Sequence, residues 1–125
     1  MKPVDQTVIN DMTGNCFTAC IASILELPID KVPNFMEDKN HWYIAAYQWL
    51  YDKGYELKHK KLEDGETLPG YWISSGKSYR FPDQHHAVVY YKKEMAHDPH
   101  PSRDGLDGTP VYGYWLEMVK EDDSP

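Results

Sequence analysis

A chain of 125 residues, 41% hydrophobic and 14% aromatic, suits a single folded domain spanning 1–125, with a core that needs no disulfide staple. Twenty acidic against thirteen basic residues give a formal charge of −7, which argues against a nucleic-acid-binding surface. No run approaches the roughly 18 apolar residues of a membrane span, and "MKPVDQTVIN" lacks the basic-then-apolar layout of a secretory signal, so a cytoplasmic protein without membrane attachment is expected.

The first element falls in "TGNCFTACIASIL". From Cys16 onward, Phe17, Ile21, Ile24 and Leu25 recur at helical spacing, Asn15 or Thr13 stands where a cap belongs, and Pro28 ends the run. "PIDKVPNF" reads as a turn or one helical turn between prolines. A second helix follows in "NHWYIAAYQWLYDKGY", with Trp42, Ala45, Ala46, Trp49 and Leu50 as its apolar stripe, Asn40 as its cap and Gly54 as its terminator.

After Gly54 the period shortens to that of strands. "YELKHKKL", "GYWISSG", "HAVVYYKK", "EMAHD" and "VYGYWLEMV" read as five β-strands. The basic "KHKKL" is expected at a solvated strand edge, "SSGKSYR" as a flexible loop near the substrate entrance, and "KEDDSP" as a solvated tail. Helices first and antiparallel strands later define an α+β fold.

Cys16 and Cys20 stand four apart on the first helix, too few for a disulfide framework and poorly placed to bridge each other. Both are expected to be free thiols. Cys16 would occupy the first helical turn, where unpaired backbone N–H groups and the helix dipole favour a sulfur anion and a developing oxyanion. Cys20, a full turn further in, reads as packing. A small buried hydrophobe remains the competing reading of Cys16.

A thiol nucleophile needs a base. Of six histidines, His86 opens the apolar run "HAVVYY", where an ionisable group has a reason to be only if it has a partner. His85 beside it should point the other way by strand alternation, toward a substrate-binding role. The turn near Lys92 and Lys93 then brings the chain back, so that Asp98 returns to the His86 end of the sheet and can orient the imidazole. A plain Asp-Pro turn is the alternative for Asp98. Asn15 and Gly76 join His85 as candidate substrate contacts.

In this order, "GNCFTACIASIL" and "HAVVYYKKEMAHDPHP" resemble the papain-like cysteine peptidases in their small bacterial form, in particular the double-glycine leader peptidase domains that process bacteriocin precursors. The segment "HDPHPS" is also similar to that of short proteins of bacteria and bacteriophages. The resemblance implies a nucleophile-bearing helix packed on an antiparallel sheet, a Cys16–His86–Asp98 triad, no cofactor, and an acyl substrate that is a peptide, amide or thioester. It further implies a glutamine upstream of the cysteine as oxyanion donor. Here that residue is Gln6, ten positions before Cys16, with the loop from Asn10 to Gly14 taking up the extra length. Asn15 or the Cys16 amide would otherwise carry that role.

Two rival readings stand beside this one. His97, Asp98 and His100, with His85 or His86, offer donors for a metal site, although their spacing matches no zinc motif. A papain-like module without chemistry could instead use Trp42, Trp49, Trp72, Trp115 and the tyrosines as a groove for a small molecule or protein, including a bacteriophage or host component.

Overall fold

The computed structural model describes residues 1–9, 14–81 and 83–119; the cap candidate Thr13, part of the proposed slack loop, and the "KEDDSP" tail fall outside them. The fold is α+β, with two α-helices followed by a five-stranded antiparallel sheet. The helices are α1 (Cys16–Leu25) and α2 (Trp42–Asp52), with 3₁₀ turns at Ile29–Lys31 and Phe35–Asp38 between them. The strands are β1 (Tyr55–Lys61), β2 (Tyr71–Lys77), β3 (His85–Tyr91), β4 (Glu94–His97) and β5 (Tyr112–Met118), in the spatial order β1-β5-β2-β3-β4.

α1 is apolar almost all round, and Phe17 through Ser23 are all buried. Its polar members are satisfied locally: Thr18 Oγ1 donates to Pro33 O at 2.6 Å and Ser23 Oγ to Ala19 O at 2.8 Å. The helix ends at Glu26, whose φ of 59° turns the chain two residues before Pro28. Phe17, Cys20 and Ile21 pack on Ile73, Ala87, Val89 and Tyr114 of the sheet, together with Ala46 and Leu50 of α2. Cys16 and Cys20 are both free thiols.

α2 differs in detail from its sequence pattern. His41, not Asn40, precedes its first turn, and Ala45 is exposed. Tyr43 and Tyr47 take the inner face with Trp42, Ala46, Trp49 and Leu50, because their rings reach sideways over β1 while keeping their hydroxyls bonded to Leu57 O and Glu56. β1 is an edge strand, and its "HKK" end is exposed.

"SSGK" is not a loop. Ser74 through Lys77 continue β2, and Gly76 pairs with His86 across the β2–β3 ladder. A Cβ on Gly76 would lie 3.0 Å from Leu106 Cδ1 and 3.3 Å from Thr109 O. The glycine is there so that residues 106–109 can close over the second face of the sheet, which corrects its expected role at the substrate entrance. Trp72, on a strand buried along its length, is held on that side by a bond from Nε1 to Lys92 O at 2.7 Å.

Among the described residues, no helix is long and apolar enough to cross a membrane.

Candidate active site

The site gathers where α1 begins, β3 begins and β4 ends. Cys16 is the first residue of α1, so its backbone N–H lacks an intrahelical acceptor. His86 is the second residue of β3 and only 5% exposed. The β3–β4 hairpin, in the register Val89↔His97, delivers Asp98 just past the strand end. His86 Nε2 donates to Asp98 Oδ1 at 2.7 Å, and Cys16 lies on the same cleft, near enough for its charge to act on the ring. With Nε2 committed to the carboxylate, Nδ1 is the nitrogen left for the sulfur.

Asp98 is 1% exposed and fully bonded. Besides His86, its Oδ1 accepts from His100 N at 2.9 Å and its Oδ2 from Gly105 N at 2.8 Å. Burial alone would raise its pKa, but the bonds from His86 and the two backbone amides outweigh burial and bring it down to about 2. Burial likewise disfavours a charged His86. The bond to Asp98, and the negative charge of Asp98 and of the neighbouring Cys16, win and push its pKa up to about 9. Cys20 is sealed at 0% exposure, and burial drives its thiol pKa upward.

An N-terminal strap holds these parts together. Gln6 N donates to Pro99 O at 3.0 Å, beside Asp98, while Thr7 N and Val8 N both donate to Asn15 Oδ1 at 2.9 Å, beside Cys16. Asn15 Nδ2 closes the set on Thr7 Oγ1 at 2.9 Å. The Asn15 amide is therefore spent on the strap, and Asn15 is not among the cleft-lining residues, which corrects its expected substrate contact. The Asn15→Ala variant is expected to be destabilised by about 1–3 kcal/mol, since it leaves two strap amides without acceptors; urea unfolding measures it.

The strap brings Gln6 into the cleft despite its long spacing from Cys16. Gln6 Nε2 donates one hydrogen to Val8 O at 3.0 Å, and its second hydrogen has no acceptor among the described residues. Asp5 anchors the strap from outside through Arg103, whose guanidinium reaches both Asp5 oxygens, at 2.6 and 2.8 Å, and Asp98 O at 2.6 Å.

The cleft itself holds about 350 Å³. One wall is aromatic: Phe17, Trp42 and Tyr114 meet edge to face with centroids 5.1 to 5.8 Å apart, next to Cys16. His85 also lines the cleft, its Nδ1 3.4 Å from Ser75 Oγ and its ring 5.9 Å from that of Tyr112. Gly76 does not line it. The donors weighed for a metal separate: His97 Nε2 turns to Val4 O and Asp5, while Asp98 is taken by His86 and backbone amides. No group of three or more such donors is arranged to hold a metal ion among the described residues.

Phe81 lines the cleft without having been legible as a site residue, Arg80 was legible only as the end of the expected entrance loop "SSGKSYR", and His100 only as a metal donor. The one local hint is Ser78, whose Oγ accepts from Arg80 N and Phe81 N at 3.2 Å each, a serine turn that "KSYRF" could have suggested.

No protein-family model, curated protein or solved structure matches the chain.

Proposed function

We propose that the protein is a cysteine-dependent acyl hydrolase or acyltransferase of papain-like topology, acting on a peptide, amide or thioester. The observation that carries this reading is the His86 ring, bonded through Nε2 to a buried carboxylate and sharing an open cleft with a cysteine at a helix start. A nucleophile, a base within reach and a third group orienting the base are what nucleophilic acyl chemistry requires.

In the proposed reaction, His86 Nδ1 already holds the proton, as the raised pKa of the ring implies, and the paired Cys16 thiolate attacks the carbonyl carbon through Sγ. The carbonyl electron pair moves onto oxygen, where the Cys16 N–H and the free Gln6 Nε2 hydrogen stabilise it. Collapse of the oxyanion breaks the bond to the leaving amine or thiol, which leaves with the His86 proton. Water, or an acceptor amine, then gives its proton to His86 and attacks the thioester, releasing the acyl product and restoring Cys16. Asp98 keeps Nδ1 toward sulfur throughout and balances the imidazolium charge.

Because the imidazolium form of His86 must deliver a proton to the leaving group, activity should decline as pH rises through about 9. The test of the reading is thiol-dependent cleavage of an activated ester or thioester, with the Cys16→Ala protein as its control.

A further inference from the structure

Arg80 and His100 line the same cleft as Cys16 but belong to no part of the triad. They come from separate connections, one after β2 and one after β4, and Ser102 joins them. Arg80 Nη1 donates to Ser102 Oγ at 3.1 Å, and Ser102 N donates to His100 Nδ1 at 3.0 Å. Ser102 Oγ also lies 2.9 Å from that same Nδ1. Since Oγ accepts from Arg80, its own hydrogen is free to point at the ring. A ring nitrogen that accepts from two donors carries no hydrogen, so in neutral His100 the proton sits on Nε2. Burial and the nearby Arg80 charge both lower the His100 pKa, which keeps the ring in that neutral, one-donor form.

The surroundings favour an anion. The described cleft-lining residues include Lys39 and Arg80 but no Asp or Glu, in a chain where acidic residues outnumber basic ones by 20 to 13. Arg80 is held by a hydroxyl, a contact that positions the guanidinium without neutralising it. The His100 ring stands 6.3 Å from that of His86, so a group held here would lie beside the reacting centre.

We propose that Arg80 and His100, organised on Ser102, form an anion-recognition subsite, and that the acyl substrate carries a carboxylate or phosphate in addition to its reactive carbonyl. This rests on the acyl-transfer reading of the cleft, but its test does not depend on turnover. The Cys16→Ala protein is titrated with succinate, inorganic phosphate and the neutral succinamide, following the NMR shifts of Arg80 Nε–H and the His100 ring. At least one anion should bind about tenfold more tightly than succinamide, and Arg80→Gln should weaken that binding about tenfold. Arg80→Lys, which keeps the charge, should retain part of it. Preference for succinate identifies a carboxylate, and preference for phosphate a phosphoryl group. Equal binding of succinamide, no shift with either anion, or full affinity in folded Arg80→Gln overturns the subsite. An inert Cys16 with normal anion binding would overturn the acyl reading instead.

Discussion

The Cys16→Ala variant is expected to lose cleavage of a p-nitrophenyl ester or activated thioester by roughly 10⁴-fold or more, down to the solution background. Its melting temperature should stay within a few degrees of wild type, about 1 kcal/mol or less. The asymmetry follows from where the residue sits. Phe17 through Ser23 fix α1 in the core, while Cys16 is only partly buried and faces the cleft. Cys20→Ala provides the opposite case: it opens a small void in a sealed position, with a stability loss on the order of 1 kcal/mol, and should leave the cleavage rate in place. A Cys16→Ala protein as active as wild type would refute the scheme.

Asp98 should give the largest loss of stability. Asp98→Ala leaves the buried His86 ring and the amides of His100 and Gly105 without their acceptors, and a loss of about 3–5 kcal/mol is expected from denaturant unfolding. Asp98→Asn is no rescue. One side-chain oxygen cannot meet donors on both sides, so its NH₂ must face either Gly105 N–H or the His86 and His100 donors. Activity in either variant should drop at least about a hundredfold, because the imidazole loses its orientation.

The same pair shapes stability against pH. His86 has a folded pKa of about 9, above its ordinary 6.5, so its contribution is complete below about 6.5 and is lost as pH rises through 9. Asp98 has a folded pKa of about 2, below its ordinary 3.8, so its contribution is present above about 3.8 and is lost as pH falls through 2. Between these limits the wild-type protein should hold a plateau, with losses of a few kcal/mol beyond each edge. Asp98→Ala should flatten both edges.

All seven helices and strands were legible, the helices from apolar residues at 3.6-residue spacing and the strands mostly from short β-branched and aromatic runs, since β2 and β3 are buried almost end to end and show no 2-residue alternation. The strand order was not. β5, last in the chain, lies between β1 and β2, a pairing set by packing between distant segments that no local pattern records. Gly76 was misread for a related reason. A glycine between a serine and a lysine looks like a loop, yet here it admits a second layer, Leu106, whose position only the fold decides.

Cys16, His86 and Asp98 could be nominated because each sits at an element boundary visible in the sequence. Asn15 was read as a helix cap and a substrate contact, but its side chain makes no cap bond; its true partners, Thr7 and Val8, lie in a strap with no periodicity at all. Arg80 and Ser102 reach the site or its wall from irregular connections, where spacing carries little information about direction.

The central claim is that His86 acts on the Cys16 sulfur, and the most direct measurement is the rate of alkylation by iodoacetamide at pH 6, read by mass spectrometry on each cysteine. In the wild-type protein Cys16 should react while buried Cys20 stays unmodified, and His86→Ala should slow the Cys16 reaction by about tenfold or more. Equal Cys16 rates in the two folded proteins would contradict the account.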